Sequence, residues 1–553
     1  ETPSQSPTET PSQSPTETPS QSPTETPSQS PTETPTKSAT ATESPLPSPT
    51  PQRTNYPGTA LTYINQNITN KFTDDDSLTQ IQANRDNVRQ VSGCYFKNVA
   101  VTNRDFYIKA DAEMLFYDNI FDNDLNPTSD QAGILWDNYN GKMSIVNCKF
   151  IRIASRGSDS FVINTNSGGG GSNLELIIEG CEFLDCGRSG RMRPLVNTIN
   201  SRGILKFYDC NFTFSRSDFS FQVLESKNND AVFERCRFTN CASESIRLGT
   251  SGENPIGTFI FKDNYITNNN GLLIKAEKLR SKPTIENNII ESTTLDNNYL
   301  IYILHNQAEI ELINNTFSEI TSTGNENTYG GGVGIFIQSS SNEYTIKYDQ
   351  CKFHNINNNH DTTTNCHGGS LQYGFSDLDN GNIEIKTCEI KNNNVQGGHG
   401  GGIALRSTKR ITIMNSIFEN NRANEENDHN GNKGFGGAIY ISATRNSENN
   451  DNNECSESIT ISGCIISNNH AYQGYGIYIQ GTQTCSTNIQ INNNNQFSGN
   501  EGTTTHPTGG CIISSEIVNI NKEEIETSND FSGETNPNIY HYHEVDSTGN
   551  PLG

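Results

Sequence analysis

The sequence predicts an all-β fold: a right-handed parallel β-helix, or solenoid, of about 14 coils behind a disordered Ser/Thr/Pro-rich stalk. Three observations carry that reading. The first is the stretch GGGIALRSTKRITIMNSIFENN from Gly400 to Asn421. Its apolar residues alternate through Ile411 and Ile413, break at Asn415, then resume at Ile417-Phe418. That is the period of two short strands joined by one turn. The second observation is recurrence, because the same phrase returns along most of the chain. The third is composition. Only 31% of the residues are hydrophobic and the mean hydropathy is -0.67. A thick globular core would need more apolar residues. A solenoid buries only a thin line of side chains in each coil.

Residues 1 to 56 repeat the octad ETPSQSPT and then drift into other Ser/Thr/Pro sequence. No aromatic residue occurs before Tyr56. Frequent proline keeps such a chain extended, and no burial offsets the entropy of ordering it. A disordered, O-glycosylated stalk or a plain linker is expected. Residues 57–90 hold Leu61, Tyr63, Ile64, Phe72, Leu78 and Ile81 at a spacing ambiguous between helix and strand. This segment is read as the N-terminal cap that shields the exposed solenoid edge.

The β-helix is placed at 91–520. Its turn phrases include VNCKF at Cys148, EGCEF at Cys181, YDCNF at Cys210, ERCRF at Cys236, ENNII at Asn288, INNTF at Asn315, KTCEI at Cys388 and SGCII at Cys464. The last is NNNNQF, aligned at Asn494. Most steps are about 24 to 37 residues long, which suits a solenoid, with polar insertions such as 444–457 expected in outer loops. Asn147, Gly180, Asp209, Asp263, Asn287, Asn314, Asn415 and Gly463 stand just before the aligned residue. Gly, Asn and Asp tolerate the left-handed backbone that a sharp corner demands. The aligned residue and the one two places later then share a side. Inward ladders of Cys/Asn and of Phe/Ile are therefore expected from coil to coil. Further strands are read at Leu300-Ile-Tyr-Ile, Val333-Gly-Ile-Phe-Ile, Ile439-Tyr-Ile and Ile477-Tyr-Ile. Residues 521–553 turn polar and form a C-terminal tail or cap.

The chain has 14 cysteines, and eight of them occupy the aligned turn position that Asn or Ser fills in other coils. That interchange suits a small buried stack, and no C-x-x-C pair suggests a zinc site. Cys455 and Cys485 differ, each standing four places before a strand. Equivalent positions in adjacent coils lie about 4.8 Å apart, so a Cys455–Cys485 disulfide is predicted, which fits an oxidising setting.

The formal net charge of -25 argues against nucleic acid and against docking on anionic membranes by charge. No apolar run approaches the roughly 20 residues of a membrane span. The sequence starts inside a repeat, so a fragment or processed form is expected. Sequons at Asn67, Asn211 and Asn314 are N-glycosylation candidates. Gly398-His399-Gly400 invites a hydrolase reading, and Glu384, Glu389 and Glu419 lie in neighbouring coils. Glycoside hydrolysis needs two opposed carboxyls, and no aspartate pair accompanies the histidine. Lys409-Arg410 is only a loose echo of a basic motif. Asp74 to Asp76 lack the glycine and distal glutamate of a calcium loop. A calcium site assembled from several coils stays open as an alternative. No catalytic, metal or cofactor residue is assigned.

Gly436-Gly437-Ala438-Ile439 with Phe418-Glu-Asn-Asn421, and again Phe497-Ser-Gly-Asn500, resemble the paired GGA(I/L/V) and FxxN repeats of the polymorphic outer membrane protein family. The chain is also similar to the large surface families of trichomonad protists that carry such repeats. The similarity covers about 330 to 500 well. It implies a right-handed β-helix, surface exposure or secretion, and adhesion to host or neighbouring cells. Many early coils lack GGA, and the bacterial membrane barrel is not present, so bacterial-type anchoring is not implied.

The function expected is that of a surface or secreted β-helix adhesin whose partner is a glycan or a cell-surface protein. Two alternatives stand beside it: a polysaccharide lyase or glycoside hydrolase on the same fold, and a structural spacer. Carboxylates stacked with Lys, Arg or His on one face across about three coils would favour the enzyme; exposed aromatic stripes without such a cluster would favour binding.

Overall fold

A computed structural model describes residues 61–64, 67–68, 81–82, 88–93, 95–97, 108–110, 114–122, 134–136, 141–152, 162–164, 173–186, 194–198, 202–214, 222–226, 229–241, 245–249, 257–279, 281–296, 299–305, 309–324, 332–339, 344–360, 368–373, 381–396, 398–406, 408–423, 434–445, 454–481, 487–502, 511–515, 521–534 and 539–542. The expected stalk at 1–56, Asp74 to Asp76 and Cys485 lie outside them.

The described residues form a right-handed parallel β-helix. Sheet A stacks fifteen strands from Leu61–Ile64 to Asn488–Asn492, and sheet B stacks sixteen from Asn67–Ile68 to Asp530–Gly533. Sheet C has ten strands, from Ile81–Gln82 to Ile335–Ser339. It gives way to sheet E, six strands from Leu371–Tyr373 to Ile539–Tyr542. Sheet D, seven strands from Thr294–Asp296 to Glu501–Gly502, lies between sheet B and those two in the later coils. The ladder is already running within 57–90, because Leu61–Ile64 pairs in parallel with Val88–Ser92 and Ile81–Gln82 with Ile108–Ala110. The segment expected as a cap thus supplies a coil of its own. Its mixed spacing hid strands of only two to four residues.

Among the described residues, the A-to-B corners before the last are each one left-handed residue followed by one inward residue. Asn147, Gly180, Asp209, Asp263, Asn287, Asn314, Asn415 and Gly463 all have φ between 50° and 64°. The inward residues make the expected ladder, and its chemistry explains the Cys/Asn interchange. Asn288 Nδ2 donates to the Phe261 carbonyl at 2.8 Å and to Asn315 Oδ1 at 2.8 Å, while its Oδ1 accepts from the Asn264 backbone N–H at 3.0 Å. Cysteine does the same work with sulfur. Cys210 Sγ donates to the Ile178 carbonyl at 3.4 Å, and Cys181 Sγ accepts from the Cys148 N–H at 3.4 Å. At the last phrase the inward residue is Asn495, one place beyond the Asn494 alignment. Asn493 and Asn494 are both left-handed there, so the corner is one residue longer.

Two places on, the inner row of sheet B stacks Phe121, Phe150, Phe183, Phe212 and Phe238 at 4.9 to 5.0 Å. Each buried ring contributes about 1.5 to 3 kcal/mol, with about 0.5 to 1.5 kcal/mol more for each stacked pair. The C-terminal segment holds one helix and two further ladder strands, Asp530–Gly533 in sheet B and Ile539–Tyr542 in sheet E. Helix α1, Lys522–Ser528, starts at Asn521, whose side chain accepts from the Glu524 N–H, and it buries Ile525. Phe531 then stacks on Phe497 at 4.7 Å.

One corner is strained. Thr387 takes φ 55°, where Asn415 stands in the next coil. A β-branched residue there costs on the order of 1 kcal/mol. Thr387→Asn is expected to stabilise the fold by about that amount, read as a higher denaturation midpoint at unchanged slope. An unchanged or lower midpoint would show that the corner carries no strain.

Candidate binding face

The repeat-motif residues build the wall on which the candidate face lies. Phe418 is an inner-row residue of sheet B, and Asn421 is the inward residue of a second corner, after left-handed Asn420. Asn393, Asn421, Asn469 and Asn500 form a second buried amide ladder there, each Nδ2 donating to the next Oδ1 at 2.9 to 3.0 Å. Phe497 and Asn500 repeat the pairing one coil beyond Ile466 and Asn469. At its end Asn500 donates to Glu534, and burial raises the Glu534 carboxyl above its ordinary range.

Gly436, Gly437, Ala438 and Ile439 open a strand of sheet E. Gly436 has φ 71°, as Gly400 has φ 73° one coil earlier. At Gly437 the constraint is space, since a Cβ would sit 2.1 Å from the Tyr475 carbonyl oxygen. Ala438 is small enough for the core, and Ile439 points into it.

The outer side of sheets C and E carries aromatic rings. Register places Arg247, Lys275, Tyr302 and Phe336 in one row across four coils. Tyr302 stacks on Phe336 at 5.1 Å, and Tyr299 lies 5.4 Å and 5.2 Å from those rings. All three are half-buried. Lys275 Nζ sits 5.7 Å from the Tyr302 centroid and 3.7 Å from Glu277. Burial, and then Glu277, push the Tyr302 hydroxyl above its ordinary range. In sheet E a separate row runs through Gln372, Ala404, Tyr440 and Tyr478. His399 stacks between Phe435 at 4.8 Å and Tyr440 at 4.6 Å, and Phe435 stacks on Tyr478 at 4.6 Å. Tyr440 and Tyr478 are 1% and 5% exposed, while His399, Phe435 and Tyr472 form a half-buried rim. The histidine of Gly398-His399-Gly400 is thus a member of an aromatic stack, and its Nδ1 accepts from the Phe435 N–H at 3.2 Å.

These rings were legible in principle. In Ile301-Tyr-Ile303, Ile335-Phe-Ile337, Ile439-Tyr-Ile441 and Ile477-Tyr-Ile479 the flanking isoleucines face the core, so the middle ring must face out. Reading the triplets only as strands overlooked this.

The carboxylates of the hydrolase alternative separate onto two faces. Glu384 lies on sheet A, 2.6 Å from Lys386. Glu389 and Glu419 lie on sheet B in adjacent coils. There Glu389 meets Lys352 at 3.4 Å, His354 at 3.5 Å and Lys391 at 3.6 Å, and Glu419 meets Lys391 at 3.3 Å. Burial alone would raise the Glu389 carboxyl, but Lys352, Lys391 and His354 together hold it below its ordinary range. Burial holds the His354 imidazole below its own range. A glycosidic general acid needs the opposite shift on its carboxyl. Lys409 and Arg410 both pair with Glu457, at 3.4 Å and 2.8 Å. Among the described residues, no group of three or more His, Cys, Asp or Glu is placed to hold a metal ion, and no helix is long and apolar enough to cross a membrane.

Cys455 is disulfide-bonded, at the end of a short antiparallel hairpin formed by Thr444–Arg445 and Glu454–Cys455. The turn cysteines Cys148, Cys181, Cys210, Cys236, Cys351, Cys388 and Cys464 are buried free thiols. Burial, then the Cys148 sulfur, push the Cys181 thiol well up, and burial pushes Cys464 up to about 11. Such thiols are poor nucleophiles. Of the sequons, Asn314 is exposed at its corner and donates to Asn287 Oδ1 at 2.9 Å. Asn211 is half-buried on sheet B and accepts from the Thr213 hydroxyl at 3.0 Å. Asn67 lies in a sheet B strand, and its side chain is outside the described set.

A family model described as a right-handed beta helix region matches residues 132–317. No curated protein matches the chain. Among solved structures it is similar to tailspike protein 3 of bacteriophage CBA120, with 10% identity, a TM-score of 0.25, and coverage of 81% of this chain and 63% of that one. The chain thus spans less than two thirds of that protein.

Proposed function

We propose that the chain is a surface-displayed or secreted β-helix adhesin that binds extracellular glycans or cell-surface proteins through the outer face of sheets C and E. The half-buried rings of Tyr299, Tyr302 and Phe336 carry this reading. Flat rings on a rigid sheet offer stacking area at low entropic cost, and Lys275 and Glu277 beside them supply orienting polar groups. The Cys455 disulfide supports an oxidising, extracellular setting, with Cys485 as its proposed partner.

The test is retention of the purified chain on a panel of immobilised neutral and acidic glycans, with cleavage followed in parallel. Wild type is expected to be retained without cleavage. Tyr302→Ala combined with Phe336→Ala should weaken retention about tenfold or more. Retention indifferent to both substitutions would remove this face from the binding site. The polysaccharide-cleaving alternative draws on the Lys352, His354, Glu389, Lys391 and Glu419 array on sheet B. Cleavage abolished by Glu389→Gln would establish it instead.

A further inference from the structure

Sheet B carries a second feature that the aromatic face does not use. Its outer row runs Asn211, Arg237, Tyr265 and Ile289, beside a parallel row of Thr213, Thr239, Thr267 and Glu291. The lysines of this sheet whose side chains are among the described residues are neutralised. Lys149, Lys352 and Lys391 each have a carboxylate oxygen at 2.6 to 3.4 Å. Arg237 is exposed, and its guanidinium lies over the Tyr265 ring, 4.6 Å from the centroid. No carboxylate pairs with it among the described residues. The nearby Glu291 is committed elsewhere, accepting from the Tyr265 hydroxyl. That bond raises the phenol above its ordinary range and clamps the ring on which Arg237 rests. Next in the row, Ile289 leaves 42% of its surface in water.

We infer that Arg237 on its Tyr265 platform, with the Thr239 hydroxyl two places along the strand, is a site for the carboxylate of an acidic terminal sugar. A guanidinium stacked on a ring keeps its N–H edge outward in a planar fork, the geometry that takes a carboxylate with two hydrogen bonds. The stacking settles its orientation before the ligand arrives, which lowers the entropic cost of binding. Ile289 offers an apolar surface to the sugar ring beyond the carboxylate. A ligand with one local charge is compatible with a chain of net charge -25, because exposed charges farther than about 8 Å are screened at physiological salt. An extended polyanion would have to cross the rows that hold Glu182 and Glu291.

The site stands on a different sheet from Tyr302 and Phe336, so the two separate by mutation. Purified chain is passed over beads bearing sialyllactose and over beads bearing lactose, at low and physiological salt. Wild type should favour sialyllactose, and Arg237→Gln should reduce that preference about tenfold. Arg237→Lys should restore it only in part, because a lysine lacks the fork. Lys347→Gln, on sheet A and outside both faces, should leave the preference intact. An unchanged melting temperature of Arg237→Gln, expected for an exposed side chain, confirms that the fold survives. Equal retention on both beads, or a preference that persists in Arg237→Gln, overturns the inference and leaves the aromatic face untouched.

Discussion

Gly437→Ala is expected to destabilise the fold by on the order of 4 kcal/mol and to open the coils from 400 onward. The added Cβ would lie 2.1 Å from the Tyr475 carbonyl oxygen, 2.7 Å from the His470 backbone nitrogen and 3.0 Å from the His470 carbonyl carbon. All three are backbone atoms, so no side chain can swing aside. Gly401 and Gly369 meet the same wall in the two preceding coils, facing the carbonyl oxygens of Gly437 and Gly401 at 2.3 Å and 1.8 Å. One Cβ would therefore force apart coils joined by hydrogen bonds from Gly401 N to Gly436 O and from Gly437 N to Gly474 O. Gly463→Asn is the contrasting substitution. Gly463 has φ 64°, and a Cβ added there would lie 2.5 Å from the side-chain oxygen of exposed Asn415, which has room to swing aside. Asparagine tolerates that backbone, so the change should cost less than about 1 kcal/mol. Denaturant titration, with amide exchange to locate the opened coils, decides both. Equal costs at the two positions would show that backbone crowding is not what selects glycine at 437.

The second large effect lies in the amide ladder. Asn288→Ala removes the acceptor of the buried Asn264 N–H and the donors to the Phe261 carbonyl and Asn315 Oδ1. Each buried polar group left without a partner costs about 1 to 3 kcal/mol. The Asn264 side-chain Nδ2, which also loses Asn288 Oδ1, keeps the Phe233 carbonyl, and Asn315 Oδ1 still accepts from the Asn288 N–H, so a total of about 3 kcal/mol is expected rather than the full sum. Asn288→Cys should cost only about 1 kcal/mol, because a thiol can donate to the strand carbonyl and accept from the amide as Cys210 and Cys181 do. The readout is again the denaturation midpoint, together with exchange of the Asn264 amide. If cysteine proves as costly as alanine, the interchange of Cys and Asn along this ladder has some other cause than shared hydrogen bonding.

The sequence alone determined the period, the corners and the inward rows. A left-handed corner excludes most residues, so Asn147, Gly180, Asp209 and Asn415 mark it wherever they recur. Alternation then assigns Cys148 and Phe150, or Asn315 and Phe317, to the inside. The second corner was harder to see, because Arg152, Asp185, Asn240, Asn268, Ser292 and Glu319 hold it in the earlier coils and share no single side-chain type. The change from sheet C to sheet E was not visible at all. It depends on how coils of unequal length lie on one another, which no local pattern encodes. What only the tertiary structure decided is which side chains meet across coils. Glu384 and Glu389 are five residues apart in sequence yet stand on different sheets, whereas Arg237 and Tyr265 come from successive coils and touch. In a parallel β-helix the chain returns to the same place once per coil, so neighbours on a face are set by register between strands and not by proximity along the chain.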